Sequence, residues 1–209
     1  YHNIILPYSP RVTAVLDDVA KLGLEIDMIA PDHGIIWRSN VPLILQAYRD
    51  YAEQKPNKKA VIVYDTMWHS TEKMAKAIAE GIMEEGVAVK IMHLKQYHHS
   101  DVMGELADAT GIICGSPTHN NGIMPLVADF LTYMKGLRPA GRVGAAFASF
   151  GWSGESLNVL TDWLKSAKVE VVEPGVKCKN VPDHAKLAEC KELGRQVAQA
   201  IKAKVEAEG

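Results

Sequence analysis

The stretch Ala60–Gly86, AVIVYDTMWHSTEKMAKAIAEGIMEEG, decides the fold. Its first five residues, Ala60 to Tyr64, form an unbroken run of small apolar, β-branched and aromatic side chains. With no polar residue alternating through it, such a run predicts a strand buried on both faces. From Thr71 to Glu85 the pattern changes: Met74, Ile78 and Ile82 recur at four-residue spacing, the mark of a helix with one apolar stripe. Gly86 follows as the expected C-cap residue. A buried strand running at once into an amphipathic helix is half of a parallel crossover unit.

Toward the C-terminus the unit repeats. Further strands are predicted at Val87–Met92, Gly111–Gly115, Val143–Ser149 and Val169–Val176. Helices are predicted near Asp101–Asp108, Pro125–Lys135, Gly154–Ala167 and Asp183–Ala207. This alternation implies an α/β three-layer sandwich, flavodoxin-like in size, whose five-stranded parallel sheet carries helices on both faces. Upstream, Lys-Pro-Asn-Lys-Lys at residues 55–59 is a polar punctuation mark. Before it the sequence predicts a helix at Ser9–Leu22, a strand at Glu25–Ala30, a Pro31-Asp32-His33-Gly34 loop and a helix from Pro42 to Gln54. One strand and two helices do not enclose a sizeable core. With Tyr1 rather than Met at the start, residues 1–54 are expected to be the end of a larger domain and residues 55–209 a complete one.

Composition narrows the function classes. The chain is 47% hydrophobic and 23% charged, as soluble globular proteins are. Its net charge of −2 gives no basic surplus for nucleic acid or an anionic membrane. No apolar run reaches the ~18 residues of a membrane span. Three scattered cysteines, Cys114, Cys178 and Cys190, make neither a disulfide framework nor a zinc site, which favours a reducing, cytoplasmic setting. There are no long-period repeats and no low-complexity tracts.

In an open parallel sheet, ligands bind beyond the carboxyl ends of the strands where strand order reverses. Three loops occupy such positions. Thr66, Met67, Trp68, His69, Ser70 and Thr71 join the first strand to its helix, offering hydroxyls and a helix start with unpaired N–H groups, a seat for phosphate. An ordinary cap at Thr71 is the plainer alternative. Neither a Gly-x-Gly-x-x-Gly run nor a Walker lysine is present, against dinucleotides and nucleoside triphosphates. Ser116, Pro117, Thr118, His119, Asn120, Asn121 and Gly122 follow the third strand, with amides and hydroxyls suited to the edge of a heteroaromatic ring, or to a plain turn. Ser149, Phe150, Gly151, Trp152, Ser153 and Gly154 follow the fourth, where glycines admit close approach and Trp152 offers a stacking face. Together they describe a mononucleotide flavin site.

The motifs YDTMWHSTEKMA (64–75), GSPTHNNGIMP (115–125) and SFGWSGES (149–156), with IAPDHGIIWR (29–38) before them, resemble in order the C-terminal half of flavodiiron proteins, the rubredoxin:oxygen or nitric oxide oxidoreductases. The resemblance covers essentially the whole chain. It implies that Thr66 to Thr71 bind FMN phosphate, that Ser116 to Gly122 line the isoalloxazine, and that Ser149 to Gly154 close over it. It makes residues 1–54 the remnant of a metallo-β-lactamase-like domain, with His33 matching the last histidine ligand of a di-iron centre. That family's other ligands, from an H-x-E-x-D-H segment onward, fall before Tyr1. The resemblance further implies rubredoxin or a similar small redox protein as donor, and a homodimer or higher homo-oligomer in the intact protein. This chain alone is then expected to relay electrons and to hold no catalytic residue of its own.

Other readings weigh less. An NAD(P)H:quinone reductase of the same fold has no place for His33. A phosphate-switched receiver needs acidic company that Asp65 lacks, with Lys177 as its lone lysine candidate. A metallohydrolase would rest on Pro31–Gly34 alone. His93, His98 and His99 read as solvated surface histidines, and Cys114 as a small buried hydrophobe. Lys135, Arg138 and Arg142 form a modest basic cluster that reads as a solvated face, with contact to an acidic redox partner as the sharper alternative.

Overall fold

The structure, a computed structural model, describes residues 1–208. Five parallel strands build the sheet: β1 (Lys59–Tyr64), β2 (Ala88–His93), β3 (Gly111–Pro117), β4 (Val143–Phe150) and a fifth in two pieces, β5 (Glu170–Val171) and β6 (Val176–Lys179). Their order is β2-β1-β3-β4-β5, with β6 also on β4, which is the flavodoxin-like arrangement. The chain leaves β1 for one edge, then crosses back over it to β3. That reversal opens a crevice above the carboxyl ends of β1 and β3.

Helices α1 (Ser9–Leu22) and α2 (Val41–Glu53) precede the sheet, and α3 (Ser70–Glu84), α4 (His99–Glu105), α5 (Pro125–Leu137), α6 (Ser156–Ser166) and α7 (His184–Glu208) are interleaved with it or follow it. Alternation along β1 divides the core. Val61 and Val63 pack with Met103, Phe130, Leu131 and Leu160 of α4, α5 and α6. Ala60, Ile62 and Tyr64 pack with Met74, Ile78 and Ile82 of α3 and with Val197 and Ile201 of α7. Burial of both faces explains why β1 and β3 are apolar without alternation. The helices α3 and α7 touch backbone to backbone: a Cβ on Gly81 would fall 2.0 Å from the Lys191 carbonyl oxygen, and one on Gly194 2.1 Å from that of Ile78.

Two sequence expectations fail here. Glu25–Ala30 forms no strand; only Ile29 pairs, in an isolated antiparallel bridge to Trp37. An apolar run becomes a strand only beside a partner, and among the described residues none runs along it. The fifth strand is not the single piece Val169–Val176. Glu170 and Val171 pair with Val143 and Gly144, the chain leaves the ladder, and Val176 to Lys179 rejoin opposite Phe147 to Phe150. Pro174 has no N–H for a ladder bond. Gly175 adopts φ +70, where a Cβ would sit 2.5 Å from the Ala146 carbonyl oxygen. A smaller shift concerns α4, which starts at His99 because His98 and Asp101 form a capping box there.

Residues 1–54 lie against the sandwich. Leu6 joins the core face of α4, α5 and α6, and Asn3 donates to the Ser100 carbonyl at 3.2 Å and accepts from the Tyr133 hydroxyl at 3.1 Å.

Candidate functional site

The turn from β1 into α3 leaves a run of backbone amides without partners at the start of a helix. His69 takes φ +64, so α3 begins at Ser70 with no side-chain cap. The first amide donating within this turn is that of Lys73, to the His69 carbonyl; the amides of Met67 to Glu72 find no protein acceptor among the described residues. The Thr66 hydroxyl is buried and likewise without a partner. Six free N–H groups and an orphaned hydroxyl at a helix start form an anion seat. Glu72, three residues into α3, does not spoil it by standing free: its carboxylate is held by Lys76 at 2.6 Å and His69 at 2.7 Å. Those contacts, Lys76 foremost, lower its pKa below the ordinary carboxylate value.

Ser149 ties the three loops together. Its hydroxyl bonds that of Thr71 at 2.9 Å, and its carbonyl accepts from the Thr118 amide at 2.8 Å. Thr118 also bonds Ser156 through the two hydroxyls at 2.7 Å. The Ser116 hydroxyl accepts the Met124 amide at 2.9 Å and donates to the Pro117 carbonyl at 2.8 Å, folding the second loop back on itself. His119 and Gly122 exchange amide–carbonyl bonds across Asn120 (φ +47) and Asn121 (φ +57), a two-residue hairpin turn of the kind that suits asparagine. The site is thus braced before anything binds.

Between these loops lies a recess of about 220 Å³. Met67, Trp68 and Ser70 line it from the first loop, Pro117 and Thr118 from the second, Ser149, Phe150 and Gly151 from the third. Asn180 and Val181, beyond β6, close a fourth side that the sequence reading missed. The strand-end rule covers them as well: the fifth strand runs on to Lys179, past the expected end at Val176, so its loop also reaches the recess. Asn180, in a left-handed conformation (φ +62), donates its amide to the Phe150 carbonyl at 2.7 Å.

The remaining candidates sit around the recess. Thr71 and Ser116 are fully buried with their hydroxyls engaged, so each braces a loop and Thr71 retains only its amide for a ligand. The His69 ring turns outward to Glu72. Asn120 and Asn121 are exposed at the hairpin tip, with His119 and Gly122 half-buried beneath. Trp152 is 97% exposed and Trp68 87%, faces turned to solvent; Ser153 and Gly154 are half-buried, Gly154 against the Phe150 ring. His33 is exposed and borders a separate, larger apolar recess of about 670 Å³ between the first residues, α1 and α2. Among the described residues no group of three or more His, Cys, Asp or Glu side chains is placed to hold a metal.

His93 departs from its expected solvated state. It ends β2, stacks on Tyr64 at 5.0 Å between ring centroids, and meets Asp65 at 3.2 Å. Burial pushes the Tyr64 hydroxyl up to about 12, with Glu72 and Asp65 adding to the shift.

The flavodoxin family profile matches residues 62–194, most of the sandwich and every loop of the recess. The chain belongs to the flavodoxin family. Domains of this family bind FMN, and the residues of this chain are chemically compatible with that group: amides without a protein acceptor and a buried hydroxyl suit a phosphate, and the recess beside Trp68 suits a flat ring. This flavodoxin-family chain is 48% identical to the rubredoxin-oxygen oxidoreductase of Megalodesulfovibrio gigas over 99% of its length, and 45% identical to the nitric oxide reductase of Moorella thermoacetica over 96%. It spans about half the length of these relatives, 52% and 51%. Its similarity is therefore to the flavodoxin-like half of flavodiiron proteins. The solved rubredoxin oxygen:oxidoreductase from Desulfovibrio gigas superposes with TM-score 0.94 at 48% identity, covering 98% of this chain and 52% of that one. An archaeal flavodoxin superposes with TM-score 0.64 at 30% identity over 69% of this chain and 99% of its own. No helix among the described residues is long and apolar enough to cross a membrane.

Proposed function

We propose that this chain seats FMN above β1 and β3 and serves as the electron-relay part of a flavodiiron oxidoreductase. Electrons arrive from rubredoxin or a similar small redox protein and pass to a di-iron centre that reduces oxygen or nitric oxide. The observation that carries the reading is the turn at Met67–Glu72, whose amides have no protein acceptor beside the buried, unpartnered Thr66 hydroxyl. The names of the relatives that align over the full chain supply donor and acceptor. When bound, FMN supplies the ability to take and give electrons singly. The chain's own part is to hold and orient it: Thr66, Ser70 and the free amides at the phosphate, Thr118 to Gly122 along one ring edge, Trp68 and Trp152 toward its faces.

Residues 1–54 belong, in this reading, to a metallo-β-lactamase-like domain, and residues 55–209 are the flavodoxin-like one. Support comes from exposed apolar surface: among the described residues, nine of the fifteen exposed large hydrophobics lie between Ile4 and Leu43. Four of the other six, Met67, Trp68, Trp152 and Val181, belong to the loops about the recess, where a flat ring or a neighbouring subunit would cover them. His33 is one candidate iron ligand, and the described residues by themselves do not fit a di-iron centre. A cytoplasmic homodimer or higher homo-oligomer completes the proposal.

The test is reduction of the FMN-loaded chain by reduced rubredoxin, followed as bleaching of the flavin bands. Bleaching supports the relay. A flavin that dithionite bleaches and rubredoxin does not would refute this donor.

A further inference from the structure

Asp65, the residue directly after β1 and next to the anion seat, is 1% exposed. Its Oδ1 accepts the Thr66 amide at 2.7 Å and lies 3.2 Å from His93 Nε2 and 3.5 Å from Lys95 Nζ. Its Oδ2 has no partner among the described residues. Lys95, two residues beyond β2, also donates its ammonium to the Thr66 carbonyl at 3.0 Å. Both backbone polar groups of Thr66 are therefore held by side chains: the N–H by Asp65, the carbonyl by Lys95. Thr66 is the residue whose buried hydroxyl is left free at the turn. The stacking of His93 on Tyr64, with ring planes 11° apart, fixes the imidazole that faces Asp65.

A buried negative charge next to a phosphate seat opposes a second negative charge there, because two like charges a few ångströms apart in a partly dry site repel strongly. Lys95 is the cation within reach of both Asp65 and the loop. From these contacts we propose that Lys95, through Asp65 and Thr66, is a positioning residue that makes the seat selective for phosphorylated over unphosphorylated flavin. The inference rests on the FMN reading above. Riboflavin carries the same ring without the phosphate, so it isolates the effect.

Full-chain wild type, Lys95→Met, Lys95→Arg and Lys95→Met/Asp65→Asn are titrated with FMN and with riboflavin, reading flavin fluorescence. Wild type should prefer FMN. Lys95→Met should weaken FMN by about tenfold, the scale of one partly screened charge contact, and leave riboflavin within about twofold. Lys95→Arg should keep most of the preference. Adding Asp65→Asn to Lys95→Met should recover part of it, since the amide oxygen still accepts from Thr66 while the charge is gone. Equal losses for both flavins, or no loss for either, would overturn the proposal and leave the phosphate seat standing. A wild type that binds riboflavin as well as FMN would remove the seat itself, and the proposal with it.

Discussion

Thr66→Val separates what this turn costs the empty protein from what it gives the ligand. The substitution keeps shape and removes one hydroxyl that is buried and without a partner. A buried unsatisfied polar group costs roughly 1–3 kcal/mol. Thr66 is 4% exposed, so little of that cost is relieved by solvent, and its removal should stabilise the ligand-free chain by about 1 kcal/mol. For a chain of this size that is a rise in Tm of about 2–4 °C. In the complex the same hydroxyl would donate to a phosphate, and a hydrogen bond to a charged group is worth about 1.5–3 kcal/mol. FMN affinity should therefore fall by about 10- to 100-fold. Thermal melts of the FMN-free protein and a fluorescence titration with FMN read the two effects. Opposite signs support the reasoning. A valine variant that is less stable when empty and binds FMN as tightly as wild type would refute it, placing the hydroxyl in the scaffold and not at the phosphate.

Four further outcomes are expected from contacts elsewhere in the structure. Ser70→Ala, at the recess, should weaken FMN by about three- to tenfold with Tm unchanged, whereas Thr71→Ala strands the Ser149 hydroxyl and should cost about 1–2 kcal/mol of stability by urea denaturation. Gly81→Ala puts a methyl 2.0 Å from the Lys191 carbonyl oxygen, so α3 and α7 must part; a loss above about 3 kcal/mol is expected in urea midpoints, and a loss under about 1 kcal/mol would contradict that packing. Burial lowers the His2 pKa from 6.5 to about 4, so the native state holds the ring neutral. The unfolded chain takes up a proton there first, so stability is present above the unfolded value of 6.5 and is lost as pH falls toward 4. His2→Phe should flatten that slope when urea midpoints are compared across the window.

Much of this was legible in the sequence because the deciding signals are local. AVIVY at 60–64 has no polar member, and a strand of that kind is stable only between two helix layers. The helix expected at Ser9–Leu22 coincides with α1, which the structure shows ending where Gly23 takes φ +61. The loops after β1, β3 and β4 were found by their turn and hydroxyl chemistry. What escaped was set by pairing and by distant partners. Glu25–Ala30 has strand composition, yet only Ile29 finds a partner. The fifth strand breaks at Pro174-Gly175 and resumes at Val176–Lys179, and only this resumption carries Asn180 and Val181 to the recess. The engagement of Thr71 by Ser149, 78 positions away, and of Asp65 by His93 and Lys95 depends on register across strands. No local pattern announces it.

The most direct test of the central claim is equilibrium titration of the purified chain with FMN, following the flavin absorption and fluorescence to saturation. One equivalent of FMN bound, releasable by heating and identified by mass, is the predicted result. A chain that neither carries FMN when isolated nor takes it up would contradict the site, leaving the flavodoxin-like sandwich without its cofactor role.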